Sequence, residues 1–193
     1  GVDNTAARAS EYEPAAAVDS LPQALRARML RDNGGPPLSE GYLRFLVEEL
    51  KPFVDSHYRT RSGREDTFIM GSSMGGLISL YALARYPQVF GGAGCLSTHW
   101  PITTNRELLA GPDPRVANVA ASYLNWLTVN LPAAGAHRLY FDHGTEFLDA
   151  LYAPYQQQAD ALLAAKGYQP GVDSLSKVFA GATHNEQAWR ARL

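Results

Sequence analysis

Apolar positions along the chain follow two different spacings. Four short apolar runs bounded by turn residues predict strands, at about Thr67–Met70, Val89–Leu96, His137–Asp142 and Leu175–Phe179. Between these runs, apolar residues recur every three or four positions, which is the spacing of a helix with one buried face. Because strands alternate with helices, we predict an α/β fold with a parallel sheet and right-handed crossovers.

Helix boundaries are marked by capping residues and prolines. Ser39 is a capping residue type and opens a predicted helix, which Pro52 should kink or restart. A long helix is predicted over 114–131, and another from about Phe147 to Lys166, ending at Gly167. The expected buried face of the long helix consists of Val116, Val119, Ala120, Tyr123, Leu124 and Leu127.

The first 38 residues show little periodicity and contain the loop signal Asn33–Pro37. Gly1–Asn4 resembles the end of a strand that begins earlier. We therefore expect the strand Thr67–Met70 to lie at an open apolar edge of the sheet, where two chains could also pair into a homo-oligomer. The whole of 1–193 is predicted to be a single domain, one that is missing the N-terminal part of its fold.

Composition narrows the class of function. The chain has 193 residues, 46% of them hydrophobic and 19% charged, with a formal net charge of -2. These values fit a globular protein and give no reason to expect a nucleic-acid or membrane partner. The single cysteine, Cys95, is expected in the core, rules out a disulfide within the chain, and fits a cytoplasmic location.

The segment Thr67–Gly76 carries the most informative motif. A predicted strand runs into Gly71-Ser72-Ser73-Met74-Gly75, and a helical pattern follows directly. This is the G-x-S-x-G pattern of a sharp strand-to-helix turn that exposes a nucleophilic serine. We expect both motif glycines to be needed because a Cβ at either position would clash with the neighbouring strand or helix.

Further polar residues follow later strands. A serine needs a base to take its proton, and a carboxylate must orient that base. In α/β-hydrolases the three residues follow one another along the chain as serine, acid and histidine. His184 comes after Ser73 and after the candidate acids, so it is the predicted base. His143 is a rival that breaks this order. The acid stays open among three residues of one loop, Asp142, Glu146 and Asp149.

Other chemistries are not supported by the sequence. Gly71–Gly76 lacks the lysine of a phosphate-binding loop, and no complete dinucleotide-binding glycine pattern is present. The five histidines and one cysteine show no metal-ligand spacing. We therefore predict that the protein uses neither a cofactor nor a metal. Its expected partner is a small-molecule substrate.

Two motifs resemble a known family. The stretch from Gly71 to Leu80, with Tyr86-Pro87 and Phe90-Gly91 after it, and Gly181-x-x-His184-x-x-x-x-Trp189 resemble the esterase D family of α/β-hydrolase esterases. The resemblance implies a three-layer sheet flanked by helices and a serine hydrolase that cleaves carboxylic esters. Phe147-Leu148-Asp149 also resembles the acid segment of mycolyl transferases, which favours Asp149 over Glu146.

The resemblance assigns roles to the candidate residues. Ser73 would attack, His184 would move the proton, and the Met74 N–H would donate to the oxyanion. The second oxyanion donor is expected from an earlier strand, in a longer natural chain, because only 66 residues precede the first predicted strand. Alternatives are acyl transfer by the same residues and a non-enzymatic module of this fold.

Two residues after the second strand are candidates for substrate binding. His99 and Trp100 lie at the carboxyl end of that strand, on the same edge as Ser73. An exposed Trp100 could stack on a planar acyl group, whereas the alternative is that it packs its own loop against the protein.

Overall fold

The computed structural model of the chain describes Val2 and residues 5–193. Four strands form a parallel sheet in the order β1-β2-β3-β4, with bounds Phe68–Ser72, Gly92–Leu96, Arg138–Gly144 and Ser174–Phe179. Helices flank this sheet, so the predicted α/β fold class is confirmed. The strand ending predicted at Gly1–Asn4 lies outside the described residues except for Val2.

Helices precede, separate and follow the strands. Their bounds are α1 Arg8–Tyr12, α2 Ala15–Asp19, α3 Gln23–Asp32, α4 Ser39–Arg44, α5 Lys51–His57, α6 Met74–Arg85, α7 Pro114–Asn130, α8 Ala153–Ala165 and α9 Glu186–Arg190. A π-helical turn, Phe45–Leu50, joins α4 to α5, and short 3₁₀ turns span Arg64–Asp66 and Phe147–Leu151.

The core lies between the sheet and the central helices. Every residue of α6 from Met74 to Ala84 is buried, so this helix is covered on all sides and not only on the one face that its spacing predicts. The six residues predicted as the buried face of α7 are the six that the structure buries. Cys95 is fully buried in β2, as predicted. After α8, Gly167 has φ +90°, which confirms it as the residue that ends that helix.

The region before β1 differs from expectation in two ways. Ser39 does not cap its helix, because it is the first helical residue and its hydroxyl accepts from the Ala15 N–H at 3.1 Å. In the part of the chain that the structure describes, three helices also precede Ser39, and the weak periodicity of that segment does not reveal them. The π-helical turn ends at Leu50, two residues before Pro52, a residue that lacks the N–H needed to continue a regular helix, so the predicted irregularity is present.

Among the described strands, β1 lies at one edge of the sheet, as predicted. It pairs with β2 on one side, and two of its apolar side chains, Phe68 and Met70, are 57% and 56% exposed. Because an edge strand has unpaired backbone groups, this edge can pair with further chain.

A buried acid ties the N-terminal helices to the loop after β2. Glu13 is fully buried, and its Oε1 accepts from Asn33 Nδ2 at 2.8 Å. Asn33 Nδ2 also donates to the Ile102 carbonyl, and Asn33 Oδ1 accepts from the Thr104 N–H. Within the described residues, Glu13 Oε2 has no hydrogen-bond partner. Burial raises the pKa of Glu13 to about 7, although the bond from Asn33 lowers it in part.

This shift predicts how stability depends on pH. The folded state favours the neutral carboxyl, whereas the unfolded chain ionises near 4.5, so the free energy of unfolding should fall as pH rises from about 4.5 to about 7. The loss should be on the order of 3 kcal/mol. Glu13→Gln should remove most of this slope in urea denaturation series. Glu49→Gln, at an exposed position, is the matched control and should keep it; equal slopes in the two variants would contradict the prediction.

Candidate active site

The turn between β1 and α6 presents Ser73. Its backbone has φ 61° and ψ −123°, a strained conformation for a residue other than glycine. A Cβ at Gly71 would lie 2.7 Å from the Gly75 backbone, so this motif glycine is required. The same expectation for Gly75 is wrong because a Cβ there would meet nothing within 4 Å. Gly76 is the second tightly packed glycine of this turn, because a Cβ there would lie 3.1 Å from Thr98 Oγ1.

Three side chains from three separate loops form one hydrogen-bonded series. Ser73 Oγ lies 2.9 Å from Nε2 of His184, and Nδ1 of His184 lies 2.6 Å from Oδ1 of Asp149. Because a carboxylate only accepts, Nδ1 carries the proton and Nε2 is left to accept from the serine hydroxyl. The imidazole is therefore oriented as a base toward Ser73.

Asp149 is held from several sides. It is fully buried in the 3₁₀ turn after β3, and its Oδ2 accepts from the Gly144 N–H at 2.6 Å and from Ser97 Oγ at 2.7 Å. Burial alone would raise its pKa, but the bonds from His184, Ser97 and Gly144 outweigh burial and lower it. The side chain therefore stays ionised at neutral pH.

Residues of the last helical segment support this arrangement. Trp189 Nε1 donates to Ser97 Oγ at 2.9 Å, and the indole lies edge-to-face with His184 at a centroid distance of 5.0 Å. Arg192 is 3% exposed and bonds Asp142 Oδ1 at 2.7 Å. Sequence reasoning gave Trp189 no role beyond the family motif, and it missed Ser97 and Arg192 altogether.

The other two candidate acids have different surroundings. Glu146 is exposed and makes no side-chain contact with His184. Asp142 is buried against Arg192 and also accepts from Tyr140 and from the Ser97 N–H. Burial raises the pKa of Asp142, while the charge of Arg192 opposes that rise. Of the three candidate acids, only Asp149 is hydrogen-bonded to the imidazole of His184.

The loop after β2 differs from expectation. Trp100 is fully buried and packs against Tyr123 and Phe141. The prediction that it is exposed and stacks on substrate is therefore wrong, and the alternative, that it packs against the protein, is confirmed. His99 is also buried. Its Nε2 donates to the Thr103 carbonyl at 2.8 Å, and its Nδ1 accepts from the Tyr152 hydroxyl at 2.7 Å.

His99 nevertheless lies beside the site. Its ring centroid is 6.4 Å from that of His184, and burial lowers its pKa to about 4, so it is neutral at physiological pH. His143, the rival base, is buried and donates from Nδ1 to the Gly144 carbonyl at 2.6 Å. Neither ring is hydrogen-bonded to Ser73.

A backbone donor faces the same turn. Met74 is the first residue of α6, so its N–H has no acceptor within the helix. Donors at a helix N-terminus favour negative charge. This amide is adjacent to Ser73, so it can donate to a negatively charged oxygen bound beside that residue.

Two open cavities meet at Ser73. One follows the open edge of β1, and its lining includes His184, Glu186 and Trp189 as well as Arg8. The other, of about 550 Å³, lies on the side of Ser73 and Met74 that does not include His184. A reacting ester can therefore place its two halves on opposite sides of the serine.

The described part of the chain contains neither a group of side chains that could hold a metal nor a helix that could span a membrane. Val2 and residues 5–193 contain no group of three or more histidine, cysteine, aspartate or glutamate side chains arranged to hold a metal ion. None of the helices described is both long enough and apolar enough to cross a membrane.

Comparison with protein families gives one match that spans most of the chain. The family model described as Putative esterase matches residues 9–193. A curated relative, the ferri-bacillibactin esterase BesA of Bacillus subtilis, is 34% identical over 98 residues, which are 50% of this chain and 32% of BesA. The carboxylesterase SOBER1 of Arabidopsis thaliana is 30% identical over 37% of this chain and 31% of its own length.

Solved structures share the fold. An IroE-like serine hydrolase from Shewanella oneidensis aligns with a TM-score of 0.62 and 15% identity, covering 97% of this chain and 54% of its own. The enterobactin esterase FES of Shigella flexneri aligns with a TM-score of 0.57 and 21% identity, over 89% of this chain and 39% of its own. The chain thus spans about a third to a half of the length of these proteins.

Proposed function

The chain belongs to the Putative esterase family, and from this we propose that it is a serine hydrolase that cleaves carboxylic esters through an acyl-enzyme. The observation that carries the proposal is the hydrogen-bonded series from Ser73 through His184 to Asp149. A serine hydroxyl is a weak nucleophile on its own, and this series supplies the base and the group that orients it.

In the first half-reaction Ser73 Oγ attacks the ester carbonyl carbon while its proton passes to Nε2 of His184. The carbonyl oxygen becomes an oxyanion and accepts from the Met74 N–H. Asp149 stabilises the imidazolium. The carbon–oxygen bond to the alcohol then breaks, and the alcohol oxygen takes the proton from Nε2 as it leaves.

In the second half-reaction water attacks the acyl-enzyme. Nε2 of His184 takes one proton from the water, and the acid product leaves as Ser73 Oγ takes that proton back. An alcohol in place of water would give acyl transfer by the same steps, so product analysis with an added acceptor alcohol distinguishes the two reactions.

Three finer expectations stay predictions. They are membership of the esterase D group within the family, further N-terminal strands that bring the second oxyanion donor, and pairing of two chains at the edge of β1. That 1–193 forms one domain is likewise proposed.

A fluorophosphonate probe tests the proposed function because only an activated serine reacts with it. We expect labelling of the wild-type chain at Ser73, located by peptide mass spectrometry, and loss of labelling after unfolding in urea. Hydrolysis of p-nitrophenyl acetate should be inhibited in proportion to the labelled fraction. A folded chain that neither labels nor hydrolyses the ester would support the non-enzymatic alternative.

A further inference from the structure

The 550 Å³ cavity beside Ser73 has an unusual charge pattern. Its lining includes two arginines, Arg8 and Arg106, and among the described residues no aspartate or glutamate. The remaining lining is mostly apolar and includes Leu109, Leu148 and Leu151. A cavity with only positive charges along apolar walls favours a ligand that has an apolar body and an anionic end.

The two arginines have no ion-pair partner among the described residues, whereas Arg26, Arg85 and Arg115 each have one. The guanidinium carbon of Arg8 lies 5.3 Å from the ring centroid of Tyr12, a cation–π contact that orients the side chain through the face of the guanidinium and does not use its N–H donors.

Arg8 also acts electrostatically on the site. Burial is the main cause of the lowered pKa of His99, and the positive charge of Arg8 is among the groups that lower it further. Arg8 therefore lies within electrostatic range of the ring that neighbours His184. A negative charge bound at Arg8 would be close to the reacting ester.

The position of His184 tells which half of the ester occupies this cavity. The leaving alcohol must take its proton from Nε2 of His184, so the alcohol lies on the side of that ring. The cavity with the two arginines is lined by Ser73 and Met74 but not by His184. The acyl group is the half that remains for it.

We propose that the substrate's acyl group carries an anionic substituent, such as a carboxylate, that Arg8 and Arg106 bind. This specificity rests on the proposed ester hydrolysis at Ser73. Guanidinium and carboxylate form paired, charge-assisted hydrogen bonds, which a neutral group of the same shape cannot match.

The test compares two esters of the same shape and different charge. They are the p-nitrophenyl esters of p-carboxybenzoic acid and p-carbamoylbenzoic acid, and kcat/KM is measured for each. We expect the anionic ester to be preferred by about tenfold or more, the scale of one hydrogen bond to a charged group. The preference should fall to near unity in the double variant Arg8→Gln/Arg106→Gln. Arg31→Gln, an exposed arginine of α3, is the matched control and should keep the wild-type preference.

Equal kcat/KM values in the wild type, or a preference that survives in the double variant, would overturn the inference while leaving ester hydrolysis intact. If neither ester is hydrolysed, fluorophosphonate labelling and p-nitrophenyl acetate hydrolysis decide the proposed function, and a binding measurement decides the inference. Calorimetric titration of Ser73→Ala with monomethyl terephthalate and with methyl p-carbamoylbenzoate should show tighter binding of the anion. Equal affinity for the two would overturn it.

Discussion

Ser73→Ala is expected to reduce the hydrolysis of p-nitrophenyl acetate to the uncatalysed background, a loss of about 10⁴-fold or more. The variant keeps His184, Asp149 and the Met74 N–H, but no acyl-enzyme can form. In the structure Ser73 Oγ is the oxygen that His184 Nε2 contacts, at 2.9 Å. Fluorophosphonate labelling should disappear together with the activity.

The same variant should remain folded. Alanine and serine share the cost of φ 61°, and the lost hydroxyl makes one hydrogen bond to His184, worth about 1 kcal/mol. A change in Tm of no more than a few degrees is therefore expected. Ser72→Ala is the matched control, because the adjacent serine has no hydrogen bond to His184 among the described contacts, and it should keep most of the activity. Substantial hydrolysis by Ser73→Ala would end the serine-hydrolase proposal.

The turn that carries Ser73 could be predicted because its determinants are local. A strand pattern, the G-x-S-x-G spacing and a helical pattern follow one another within about twenty residues, and each is a property of adjacent positions. The carboxyl ends of parallel strands meet at one edge, so the expectation that His184 lies near Ser73 needed only the order of the strands. The structure places their side chains in hydrogen-bond contact.

Other features depend on packing between distant segments. Ser97 has φ 43° and joins Asp149 to Trp189, but nothing in its neighbouring sequence marks a residue in this conformation. The sequence left two alternatives for Trp100, an exposed side chain that contacts substrate or one that packs against the protein, and only the folded chain shows that it packs onto Phe141 of β3. Serine is a common helix-capping residue, but the Ser39 hydroxyl accepts a hydrogen bond from the Ala15 N–H and does not cap its own helix. Such partners are defined only once the chain is folded.

Asp149→Asn is expected to lower kcat by about 10⁴-fold, the scale of the corresponding exchange in a serine protease. The asparagine side chain can donate to Nδ1 of His184 and so favour the wrong tautomer, with the proton on Nε2, where the serine proton must go. It also cannot balance the imidazolium that forms during attack. The buried Oδ2 position would still accept from Ser97 and Gly144 if the amide nitrogen faced His184, so the fold should survive.

Glu146→Gln is the matched control because it makes the same chemical change in the same loop at an exposed position. We expect kcat within about twofold of the wild type, since surface substitutions away from such a site have small effects. Asp142→Asn tests the third candidate acid, and its main expected effect is on stability and not on kcat. It weakens the buried pair with Arg192, so Tm should fall, and kcat of the folded fraction should fall far less than in Asp149→Asn. A larger loss of kcat in Glu146→Gln than in Asp149→Asn would transfer the acid role to Glu146.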